Sequence, residues 1–211
     1  MSELAMFPLG SVLFPGLPLT LHVFEPRYRA LVGACVKAAE RGEPAEFGVV
    51  LIERGAEVGG GDQRFTVGTV ARLTQVAQLR DGRYATVAVG TRRVAVREWL
   101  ADDPYPRAEV DDLDDAWFDP ALDTPLRERA EAQVRRGLAL KHQLGEPAYP
   151  ADIELDDDPA AAAWQLAAIA PLGELDQLGL LRSPSCTDLL ADLARLAEDE
   201  AAVLAFRLGS G

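Results

Sequence analysis

The stretch FPLGSVLFPGLPLTLHVFEPRY, residues 7–28, constrains this chain more than any other segment. Its apolar residues Leu9, Val12, Leu13, Phe14, Leu17, Leu19, Leu21, Val23 and Phe24 are cut by Pro8, Gly10, Pro15, Gly16 and Pro18. Proline removes a backbone donor and clashes with the preceding turn, so no single long helix can form here. What remains is short extended pieces joined by turns. Pro15-Gly16 suits the central positions of a type II turn, where proline presets the first φ and glycine accepts the positive φ that follows.

The segments downstream build on that start. From Glu25-Pro26 the residues Tyr28, Leu31, Val32, Cys35, Val36 and Ala39 recur at helical spacing, predicting an amphipathic helix to about Glu40, stopped by Gly42 and Pro44. Phe47 to Ile52 is a short, nearly continuous apolar run, as in a strand covered on both faces. Arg54 to Arg64, with Gly59-Gly60-Gly61, reads as a polar surface loop; the GxxxxGK[ST] pattern of a phosphate-binding loop is missing. Two extended runs, 65–79 and 84–96, flank Asp81-Gly82, a dipeptide favoured in type I′ hairpin turns. Gly68 and Gly90 inside them predict bulges or bends that curve the sheet. With a further strand near 107–110, the first part is a β-rich unit of six strands and one helix.

From Asp111 the composition turns acidic and then helical. Leu126, Ala130, Val134 and Leu138 predict a helix over 120–143, and Asp158-Pro159 caps another through Trp164. A short helix spans 173–181. Ser183-Pro184 repeats the cap-plus-proline signal before a last helix carrying Leu189, Leu193, Leu196, Val203 and Leu204. The reading is an α+β chain in two parts, residues 1–113 and 114–211.

Charge and chemistry narrow the function. Residues 1–100 hold 12 Lys+Arg against 10 Asp+Glu, whereas 101–211 hold 9 against 24, within a net charge of −13. So acidic a second half repels phosphate backbones, which disfavours nucleic acid as a general partner. Cys35 and Cys186 are far apart, and His22 and His142 are isolated, so neither redox, zinc nor other metal chemistry is indicated. No GxSxG elbow appears, and the carboxylate pairs sit in caps and linkers. No catalytic, cofactor or metal residue is therefore assigned. Without a leader-like start or an apolar run of membrane-spanning length, the expected location is cytoplasmic. Trp99, Tyr105, Trp117 and Phe118 gather near the junction of the two parts. They read either as core or as an apolar groove able to take an extended segment of another protein.

Taken together, residues 7–28, FTVGTVARL at 65–73, the Asp81-Gly82 hairpin, Thr91-Arg92-Arg93-Val94 and DDPAAAAWQLAAIAPLGELDQLGLL at 157–181 resemble the N-terminal substrate-binding domain of ATP-dependent Lon proteases. Phe24-Glu25-Pro26-Arg27-Tyr28 is most similar to small stand-alone bacterial members. The resemblance implies a PUA-like β pseudo-barrel with one helix, followed by a C-terminal α-helical bundle. It also implies a non-enzymatic protein-binding module for unfolded or apolar segments, acting as a proteolysis adaptor or independently, with proteins, peptides or a protease as partners. ATPase and peptidase activity are not implied, since the motor and protease blocks are missing from these 211 residues. The alternative is RNA binding through the barrel, suggested by Arg72, Arg80, Arg83, Arg92 and Arg93.

Overall fold

The computed structural model describes residues 2–55, 63–114 and 118–210. Gly59-Gly60-Gly61 and Trp117 lie outside the described residues. The chain forms two compact units, Met1–Asp114 and Asp115–Gly211.

The first unit contains β1 (Ser2–Leu9), β2 (Pro18–Val23), α1 (Pro26–Glu40), β3 (Glu46–Arg54), β4 (Gln63–Gln78), β5 (Tyr84–Trp99) and β6 (Arg107–Asp112). Strand order is β2-β5-β4-β3-β1-β6, and β6 also pairs with β5, so the sheet closes on itself. The length of β5 makes closure possible. Its Tyr84–Val89 half pairs antiparallel with β2 and its Val94–Trp99 half with β6, while β4 runs along both halves. Between the halves the register to β4 skips Thr91, a bulge that bends the strand. Beside it, Gly90 leaves room for the carbonyl of Phe14, which a Cβ there would strike.

The 7–28 stretch threads through this bend as its prolines and glycines require. Leu17 N–H donates to the Phe14 carbonyl (3.3 Å) across Pro15-Gly16, and Gly16 has φ +78°. Backbone bonds of 2.9 Å join Gly16 and Leu17 to Gly90, and the buried Thr69 hydroxyl donates to the Leu13 carbonyl (2.5 Å). The expected apolar stripe of α1 buries Tyr28, Leu31, Val32 and Cys35 against Phe7, Phe47, Val49, Ala71 and Ala88. On the opposite face of the sheet, Met6, Val50, Val70, Val94, Val96, Ala108 and Val110 form a second core. β3 feeds both: Phe47 and Val49 point one way and Val50 the other, the period of a strand covered on both faces.

The hairpin at Asp81-Gly82 forms, but its turn is not type I′. Gly82 has φ +79°, whereas Asp81 does not adopt positive φ, because no residue other than glycine does among those described. Gly82 N–H donates to the Leu79 carbonyl (2.9 Å) and Leu79 N–H to the Arg83 carbonyl (2.8 Å), a type I turn completed by a left-handed glycine. The Asp81 side chain decides it: by accepting from Arg83 N–H (3.1 Å) and pairing with the Arg83 guanidinium (2.7 Å), it stabilises the right-handed conformation at its own position.

The second unit contains α2 (Pro120–Gln143), α3 (Pro159–Ile169), α4 (Glu174–Leu181) and α5 (Cys186–Gly209). α2 and α5 lie side by side and parallel: Asp123 meets Thr187 near their starts, Arg129 meets Glu198, and Glu146 just past α2 meets Arg207. Parallel neighbours need a crossover, which α3 and α4 supply. α3 buries Ala162, Ala163, Trp164, Leu166, Ala167 and Ile169, so it is covered on most sides. Asp158 caps it as expected, accepting from Ala161 N–H (2.8 Å). The cap of α5, however, is Ser185 and not Ser183: Ser185 accepts from Asp188 N–H (3.1 Å) and donates to the Asp188 carboxylate (2.5 Å). Ser183 is buried, and Pro184 precedes the cap instead of opening the helix.

Candidate functional site

Phe7 and Tyr28 stack with centroids 3.9 Å apart and planes 11° from parallel, and the Arg27 guanidinium lies 4.4 Å from the Tyr28 ring. This clamps the start of α1 to β1. Beside the clamp is a cleft of about 190 Å³ lined by Phe7 and Leu9 of β1, Thr20 to Val23 of β2, and Phe24, Glu25 and Tyr28 just after it. β2 is the terminal strand of the sheet order, paired on one side only among the described residues. Its other edge is backbone able to hydrogen-bond an incoming strand. At its end Phe24 is 52 % exposed, a large apolar side chain held in water at the rim.

The second unit has a larger cleft, about 440 Å³, between the C-terminal ends of α2 and α3 and the extended segment after α2. Leu138, Ile169 and Ala170 are its buried floor, and Pro147, Tyr149, Pro171 and Leu172 line the opening. Pro171 seats directly on α2 because residue 137 is glycine; a Cβ there would lie 2.9 Å from its ring. The Tyr149 carbonyl sits 3.3 Å from His142 Nε2, holding the extended segment against the helix end. Lys141 is the one charged residue in the lining.

Of the aromatic quartet, Trp99 and Tyr105 pack against different cores of the first unit. Trp99 is half-buried against the Met6–Val94 core, with the Arg64 guanidinium 4.8 Å from its ring and Arg64 held by Asp102 (2.7 Å). Tyr105 packs instead against the core beneath α1. Phe118 is half-buried just before the Asp119 cap of α2.

The arginines singled out for RNA are largely engaged. Glu46 accepts from both Arg72 (2.9 Å) and Arg92 (2.8 Å), Arg92 also reaches Asp112 (2.9 Å), and Arg83 is bound to Asp81. Arg93 is 2 % exposed and donates to the Asp114 carbonyl (2.5 Å). Arg80 stands exposed at the hairpin tip. Burial raises the Glu46 pKa, but the hydrogen bonds from Arg92 and Arg72 outweigh it and hold the carboxyl below its ordinary range.

Neither thiol is poised as a nucleophile. Burial pushes Cys35 up to about 11, and burial followed by the nearby Asp123 charge pushes Cys186 up to about 12. Among the described residues no group of three or more His, Cys, Asp or Glu is arranged to hold a metal ion, and no helix is long and apolar enough to cross a membrane.

Residues 3–199 match the family model described as the ATP-dependent protease La (LON) substrate-binding domain, and the chain belongs to that family. It is 28 % identical over 206 residues to Lon protease 2 of Herpetosiphon aurantiacus, a match covering 96 % of this chain and 24 % of the relative. The chain thus spans about a quarter of that curated relative's length. Among solved structures it is similar to the Lon N-terminal domain protein from Xanthomonas campestris, with TM-score 0.63, 28 % identity and coverage of 92 % of this chain and 98 % of that one. The N terminal domain of Mycobacterium avium complex Lon protease shares the fold, with TM-score 0.63, 19 % identity and coverage of 94 % and 99 %.

Proposed function

We propose that this chain is a non-catalytic protein-binding module that captures extended, apolar segments of other proteins, acting independently or as an adaptor that passes them to a protease. The edge of β2 left unpaired among the described residues, beside its mainly apolar cleft, carries this reading. An extended peptide can continue the hydrogen-bond ladder along such an edge while alternate side chains enter the cleft, and a folded surface cannot. Membership of a substrate-binding family supports the same direction, and the protonated thiols favour binding over nucleophilic chemistry. The test is fluorescence anisotropy with reduced, carboxymethylated α-lactalbumin as an unfolded probe. Because Phe24 is at the rim and not in the core, Phe24→Asp should weaken binding about tenfold with an unchanged melting temperature. Wild-type affinity in that variant would count against the β2 edge.

A further inference from the structure

Residues 115–211 hold 18 Asp+Glu against 8 Lys+Arg. Five of those eight cations, Arg127, Arg129, Arg135, Arg195 and Arg207, are paired with carboxylates. Lys141 has no partner among the described residues, although acids outnumber bases across residues 115–211, and no carboxylate lines its cleft. A cation in the last turn of α2 complements the helix dipole. That accounts for a lysine on the last turn but not for its place on the wall of an otherwise apolar cleft. Such a site complements a ligand with apolar bulk and a single negative charge close to it. Ala148 and Tyr149, on the adjoining wall, have backbone N–H groups that donate to nothing among the described residues, so they are free to meet the carbonyls of an extended chain.

We propose that this cleft binds the C-terminal end of a protein chain, with the last apolar side chain on the Leu138–Ile169 floor and the terminal carboxylate at Lys141 Nζ. A terminal carboxylate is attached to the same Cα as the side chain that fills the floor, which matches one charge beside one apolar cavity. An internal Asp or Glu carries its charge at the end of its own side chain and must bring chain into and out of the cleft. The proposal rests on the protein-capture reading and names one chemistry within it.

The experiment uses the full chain and a fluorescein-labelled octapeptide, Gly-Ser-Gly-Ser-Gly-Val-Ala-Leu, with a free or an amidated terminus. The free acid should bind about tenfold tighter than the amide, Lys141→Gln should erase that difference, and Lys141→Arg should keep most of it. Equal binding of acid and amide to the wild type, a comparison that needs no variant, would overturn the proposal, as would an undiminished difference in Lys141→Gln. If carboxymethylated α-lactalbumin binds while both peptides fail, the carboxylate inference falls and the capture reading stands. If nothing binds, both fall.

Discussion

The two units deploy their charges, and line the clefts described above, by opposite means. In the first, charges are committed to the sheet: Glu46 joins Arg72 of β4 to Arg92 of β5, Arg97 pairs with Asp111, and Arg107 with Glu3 (3.0 Å). Its cleft lies along the β2 backbone and is lined mainly by apolar side chains, with Thr20, His22 and Glu25 among them. In the second, small residues such as Ala130, Ala194, Ala197 and Ala201 are buried on α2 and α5, and the surface carries the acid excess. Its cleft is defined by one cation that the excess leaves alone. Backbone recognition is indifferent to sequence, whereas a lysine at a cavity selects; on the two proposals above, the pair of clefts would separate general capture from chemical preference.

The sharpest break in this comparison comes from the cores. Phe47 is 1 % exposed under α1, and Phe47→Ala should cost about 3–5 kcal/mol in chemical denaturation; a loss under about 1 kcal/mol would remove the α1-side core as the first unit's foundation. In the second unit the equivalent point is polar. Asp123, 1 % exposed, accepts from Asp119 N–H (2.7 Å) and the Thr187 hydroxyl (2.6 Å), joining the starts of α2 and α5. Asp123→Ala leaves both donors without their acceptor and should cost about 2–3 kcal/mol. A near-neutral effect would show that the helices are held by apolar packing alone.

The smallest effect concerns the strand-to-strand ion pairs. Glu46 is held below the ordinary carboxylate range, so its contribution is full above the unfolded pKa and disappears as pH falls through the folded one. With Arg72 largely exposed, Glu46→Gln should cost under about 1 kcal/mol at neutral pH. Wild type and variant should converge as pH is lowered below about 4. A difference that persists or grows in acid would mean that the variant acts through packing and not charge.

How much of this could be read from the residues depends on the range of the forces involved. Local chemistry was legible: the left-handed Gly16, the Asp158 cap and the α1 stripe each follow from neighbours within a few positions. Two local signals had competitors. Asp81 uses its carboxylate on Arg83 and so avoids the positive φ of a type I′ turn, and Ser185, with Asp188 three residues on, offers a reciprocal cap that Ser183 does not. The clefts were not legible, because each is made by residues distant in sequence: Leu9 with His22, and Lys141 with Pro171. Nor was the fate of the arginines, since the partner of Arg92 is Glu46, on another strand. Aromatic content pointed to Trp99 and Tyr105, but their packing against two different cores is a product of the closed sheet.

The central claim is capture of extended protein segments at the β2 edge. Amide hydrogen exchange on the full chain, with and without saturating carboxymethylated α-lactalbumin, tests it most directly. Capture at this edge predicts slowed exchange at the amides of Leu19 to Val23 and of the adjoining start of α1. Binding that leaves β2 exchange unchanged while protecting other segments, or no protection anywhere, would contradict it.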